Sequence, residues 1–203
     1  MIAMPAQAEA VLDFWFGAPG SASGIAGRQF KLWFGKSATH DRTVTQRFSA
    51  TLKAASAGRL DSWAATPRGR LALVVVLDQF PHHIFRNQPQ AFATDPQALA
   101  MSMAALAAGE DQLLAPIERV FLYLPLEHAE SLERQDQSVA CYEKLARESA
   151  ADERGLFDDF LKYARSHRDV VARFGRFPHR NEILGRVSSA AEAEFLKQPG
   201  SRF

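Results

Sequence analysis

Apolar residues recur at steps of three and four along most of this chain. Val11, Leu12, Trp15 and Phe16 form the first such stripe, which Gly17 stops, and they predict a short helix after Pro5. From Asp41, the positions Val44, Phe48, Leu52 and Ala55 step the same way to Gly58, with Arg42, Gln46, Arg47 and Lys53 between them, as an amphipathic helix requires. Thr66 and Pro67 read as the cap and first turn of the next helix, which runs through Leu71–Leu77 with almost no polar face and is therefore predicted to be buried and central. The β-branched content of that run also suits a strand, but no other segment alternates with period two to supply a partner strand.

The same signals continue downstream. Thr94, Asp95 and Pro96 repeat the cap-then-proline opening, with Leu99, Met103 and Leu106 on one side of a helix that Gly109 ends. Pro116 opens a segment that Pro125 is expected to interrupt, with a polar turn after Leu126. Val139, Tyr142 and Leu145 face inward from a helix over 136–147, and Phe157, Phe160, Leu161, Ala164, Val171 and Phe174 trace the longest stripe, ending at Gly175. Ser189 and Glu192 have the spacing of a capping box for a last short helix. Residues 17–27, rich in Gly, Ser and Ala, read as a mobile loop, either a lid or a connector. The pattern predicts an all-α fold in a single compact multi-helix domain over residues 1–203.

Composition narrows the function. The 203 residues are 47% hydrophobic, enough for a sizeable core. The 24 Lys and Arg against 23 Asp and Glu leave a formal charge of +1, which provides no field to attract nucleic acid or an anionic membrane. The single cysteine, Cys141, cannot close a disulfide within the chain or build a cysteine-based zinc site. No run reaches the ~18 apolar residues of a membrane span, and Met1–Ala10 lack a secretory pattern, so the expected location is the cytoplasm. An aromatic content of 15 Phe, 3 Trp and 3 Tyr permits a homo-oligomer interface.

Candidate chemistry sits in polar residues embedded in apolar runs. Gly35-Lys36-Ser37 lacks the earlier glycine and the preceding strand of a phosphate loop, and His167-Arg168-Asp169 lies within a predicted helix, so neither carries nucleotide chemistry. The sequence names no cofactor and no metal site. Asp78 and Gln79 end a helix with no other polar face and must find partners or water. Glu127, His128 and Glu130 gather two carboxylates around an imidazole, which suits either proton transfer or helix capping. His167 falls on the apolar stripe of the longest helix, as a core histidine or as a catalyst. The arginines 173, 176, 180 and 186, with His179, concentrate charge that could hold a carboxylate or phosphate, or pair internally with Asp78, Glu127 and Glu130. Phe-Pro-His occurs twice, at 80–82 and 177–179, each time before an Ile and an Arg. Two similar turns or a shared ligand role both account for it.

Three segments carry a family likeness: LDQFPHHIFR at 77–86, AFATDPQAL at 91–99 with YLPLEHAE at 123–130, and RFGRFPHRNEILGR at 173–186. With LDFWFG near the start, they resemble the bacterial domain-of-unknown-function family numbered nine-two-four. The resemblance implies tetratricopeptide-like antiparallel helix packing and brings no activity, cofactor or catalytic residue. His82 and His83 stand where the family's wording leads one to expect Arg and Asn, so a role requiring those residues is in doubt here.

Two functions fit these residues. One is a helical scaffold that binds a small anionic ligand or a protein partner through Arg86, Glu127, His128, Arg176 and His179. The other is a small hydrolase or transferase in which Glu127 or Glu130 orients His128 as a general base while Arg176 and Arg180 stabilise negative charge.

Overall fold

The computed structural model describes residues 3–202, and among these no strand occurs. The α-helices are α1 (Ala6–Phe16), α2 (Ala22–Trp33), α3 (Ala38–Ser56), α4 (Pro67–Val74), α5 (Phe80–Ile84), α6 (Asp95–Ala107), α7 (Pro116–His128), α8 (Leu132–Glu148), α9 (Arg154–Phe174) and α10 (Ala190–Phe195). The all-α class expected from the apolar stripes is the class observed.

The central rod is the run with no polar face. Residues Leu71–Leu77 are at most 2% exposed, and Thr66 caps their helix by accepting a hydrogen bond from the Gly69 amide. Around this rod, Trp15 of α1 meets Phe80 and Phe121 edge to face, and the Trp33 indole of α2 donates to the Trp15 carbonyl at 2.8 Å. Short connections join α7 to α8 and α8 to α9, which pack as antiparallel neighbours.

Three local expectations change. Most of the stretch 17–27 is not a loop: only residues 17–21 connect, and Ser21 caps α2, accepting from the Gly24 amide, in a helix that buries Ala22, Ile25, Ala26, Leu32 and Trp33. The burial of this stripe outweighs the cost of Gly24 and Gly27, because tertiary packing supplies most of a helix's stability. Pro125 does not break α7, which continues to His128. The proline forgoes a bond to the Phe121 carbonyl, but the helix ends three residues later, so little of the ladder is lost. On α6 the inward residues are the small ones, Ala98, Ser102 and Ala105, while Leu99, Met103 and Leu106 are half-buried at the flanks, since close approach to α4 leaves no room for large side chains.

One irregularity positions the site. Between α4 and α5 the rod widens into a π-helical turn, Val75–Gln79, which shifts the hydrogen-bond ladder by one residue. Thr94 does not cap α6 with its side chain. Its hydroxyl instead donates to the Leu77 carbonyl of the π turn at 2.5 Å. This bond ties the start of α6 to the widened turn, and Asp78 and Asp95 are brought together as a result.

Candidate polar site

The π turn presents Asp78, 0% exposed, to the C-terminal end of α7, where its Oδ1 lies 2.9 Å from His128 Nδ1. Gln79 donates its amide to the other oxygen of Asp78. Burial alone would raise the Asp78 pKa, yet the neighbouring His128 pulls it below the usual carboxylate value. Burial would likewise discharge His128, but the Asp78 carboxylate outweighs it and raises the imidazole pKa. The position of His128 at a helix C-terminus acts in the same direction. The two form an ion pair within an otherwise apolar rod.

Asp95, the first residue of α6, faces Arg180 from the turn Pro178–Arg180, with 3.3 Å between Oδ2 and Nη1. Burial pushes the Asp95 carboxyl up to about 6, with the Asp78 charge adding to the shift. Arg180 is 7% exposed, and its guanidinium lies 4.7 Å from the ring centres of both Phe92 and Phe177. Phe92 also meets the His82 ring edge to face at 5.4 Å, and His82 meets His128 at 5.7 Å. The two Phe-Pro-His segments therefore converge on Phe92. Burial, with the charge of His128 beside it, drives His82 down to about 3, so its ring is neutral at physiological pH.

A second layer surrounds these groups. Glu127, fully buried and pushed up to about 7 by that burial, stands 3.1 Å from His167 Nδ1, which also lies 2.9 Å from the Tyr163 carbonyl. Burial lowers His167 to about 3 and His179 to about 4. Glu130 accepts two hydrogen bonds from Arg186 and one from the Phe177 amide, which together hold it below its usual range despite burial. Gln135, 0% exposed, donates to the carbonyls of Glu127 and Ala129 and fixes the end of α7 on which His128 sits.

The residues singled out from sequence thus divide. Asp78, Gln79, Glu127, His128, Glu130, His167, His179 and Arg180 are brought into this region. Arg86 is not: it pairs bidentately with Asp41 of α3, which His83 also contacts at 2.9 Å. Arg176 is not either, because Glu192 of α10 holds its Nε and Nη2 at 2.7 and 2.8 Å, and the Val187 carbonyl accepts from it as well. The orienting carboxylate of His128 is Asp78, in place of Glu127 or Glu130. Asp95 escapes a reading of the sequence because Thr-Asp-Pro is also an ordinary helix start, and His82 stands there only as one of several basic neighbours for Asp78, beside His83 and Arg86. Both occupy the segments that carry the family wording.

Among the described residues, several buried polar atoms of this region have no protein hydrogen-bond partner: His82 Nε2, Asp95 Oδ1, Arg180 Nε and Arg186 Nε. Buried polar groups are nearly always satisfied in folded proteins, so a cluster of exceptions points to something other than packing. No group of three or more His, Cys, Asp or Glu among the described residues is arranged to hold a metal ion, and no helix is long and apolar enough to cross a membrane.

Fold and site define an all-α protein with a buried ionisable cluster assembled from both halves of the chain. The chain belongs to the family described as bacterial protein of unknown function (DUF924), whose pattern it matches over residues 11–200. It is also similar to the solved structure of ATU0120, a protein of unknown function from Agrobacterium tumefaciens, at 35% identity and a TM-score of 0.80, with 95% of this chain and 97% of that one covered. No curated protein matches it.

Proposed function

We propose that the cluster is the binding site of a small ligand with an anionic group, which Arg180 and His82 hold beside the Asp78–His128 pair. The observation that carries this reading is the set of buried donors without protein partners gathered in one region, Arg180 Nε foremost. Arg180 is fixed in advance between two phenyl rings and by Asp95, so little side-chain freedom is lost when a carboxylate or phosphate meets it. A scaffold that needed these charges only for folding would gain more by pairing every one of those atoms.

Isothermal titration of the full chain with inorganic phosphate, acetate and short aliphatic carboxylic and phosphoric acids tests it. Binding of at least one of these, weakened tenfold or more by His82→Ala and by Arg180→Lys but not by Arg176→Lys, is the expected result. Absence of binding, or binding indifferent to His82 and Arg180, would remove the reading.

General acid–base chemistry on that ligand is the second reading, and the Asp78–His128 geometry favours it. Asp78 fixes the imidazole through Nδ1 and leaves Nε2 as the atom that exchanges a proton. His128→Gln would then abolish turnover of a bound acid that carries an ester or amide bond elsewhere in the molecule, while preserving its binding. Turnover retained by that variant would exclude His128 as the proton carrier.

A further inference from the structure

Each fixed positive charge of the cluster already faces a carboxylate, and Glu127 adds a further carboxyl beside His167. Asp78 faces His128, Asp95 faces Arg180, and Glu130 faces Arg186. The region therefore has no surplus positive charge with which to neutralise an incoming anion. An anionic group that docks on Arg180 must share that guanidinium with Asp95 and would bring one uncompensated charge into a buried setting, which is costly unless another partner is present.

Asp95 itself indicates that partner. Its Oδ2 is taken by Arg180, while its Oδ1 is buried and has no hydrogen-bond partner among the described residues. An ionised carboxylate oxygen can only accept, so this atom calls for an N–H or ammonium donor. The carboxylate that carries it lies, through Oδ2, against the same guanidinium whose Nε lacks a partner. With 3.3 Å between the two groups, and each planar group about 2.3 Å across, the two open atoms are on the order of 8 Å apart at most. Two charged groups a few bonds apart on one small molecule span that distance.

Resting on the reading of the cluster as an anion site, we infer that its ligand is a small zwitterion, with a carboxylate or phosphate on Arg180 and His82 and an ammonium group a few bonds away on Asp95. A zwitterion leaves the buried charge balance unchanged, and it supplies the acceptor that Arg180 Nε needs and the donor that Asp95 Oδ1 needs.

The test is titration calorimetry on the full chain with matched probes. Each of the twenty standard amino acids and aminoethyl phosphate is compared with its counterpart lacking the amino group and with the amine lacking the acid. At least one zwitterion is expected to bind tenfold or more tightly than its deaminated counterpart, with the bare amine not binding. Asp95→Asn should bring zwitterion and deaminated acid to within threefold of each other. Asp95→Glu should retain the preference, which separates loss of charge from loss of fold, and helix content of both variants is read by circular dichroism. Carboxylates and phosphates that bind at least as tightly without the amino group would overturn the inference and leave the anion reading standing. If none of the probes binds, the anion reading and this inference fall together. Which acid group the preferred zwitterion bears distinguishes an amino acid from an aminoalkyl phosphate.

Discussion

Glu127 shows how a single side chain sets the response of this fold to pH. Burial raises its carboxyl to about 7, from a value near 4.3 in an unfolded chain. The folded protein therefore holds this proton more tightly than the unfolded one. Its contribution is fully present below the unfolded value and is lost as pH rises through 7, a loss on the order of 4 kcal/mol. Glu127→Gln is expected to flatten the decline in melting temperature between pH 5 and pH 8 and to raise it by several degrees at pH 8, on the scale of about 2–4 °C per kcal/mol. An unchanged pH profile would show that the buried carboxyl titrates normally. His82 and His167, both lowered to about 3, act with the opposite sign: the unfolded chain binds their protons better, so stability falls as pH drops below about 6.5. At this scale the sequence was informative where a polar residue interrupts an apolar run, as at Asp78 and His167. It was silent where the decisive neighbour lies far along the chain. Arg176 and Arg180 are four residues apart, yet one serves Glu192 and the other Asp95, and nothing in local spacing separates them.

Among the elements, α2 and the π turn depart most from what periodicity alone suggests. In α2 the glycines, alanines and serine look like a connector, and only the burial of Ile25, Leu32 and Trp33 makes a helix of it. Ser21→Ala removes its cap and is expected to cost about 1 kcal/mol, read by urea denaturation. Hydrogen exchange over 22–33 should be slow in the native chain, and exchange as fast as in an unfolded peptide would restore the mobile loop. In the π turn the apolar run continues without a visible break, because a widened turn changes hydrogen bonding and leaves composition alone. Its only sequence trace is the polar pair Asp78-Gln79 after seven apolar residues. Thr94→Val leaves the Leu77 carbonyl without its donor and should cost about 1–3 kcal/mol. The same variant should weaken any ligand that depends on Asp95, since the hydroxyl is what anchors the start of α6 to the rod. An element that looks like a simple cap-and-proline helix start thus carries a tertiary bond that positions the site.

Across the whole molecule, the helices bring the first Phe-Pro-His turn, the ends of α6 and α7, and the second Phe-Pro-His turn into one region. The all-α class followed directly from the stripes at steps of three and four. That the two segments meet at Phe92 did not, because helix periodicity fixes which face is buried but not which helices share it. The central claim is that this meeting place is a ligand site and not only a set of internal ion pairs. The most direct measurement is a two-dimensional NMR titration of the histidine ring signals with the calorimetric probes. With a ligand site there, the ring signals of His82 and His128 move together and saturate at one ligand per chain, while those of His40 and His83, which lie with Lys31 and Asp41 outside the cluster, stay in place. Signals of His82 and His128 that remain fixed at saturating probe, or that move only in step with His40 and His83, would contradict it.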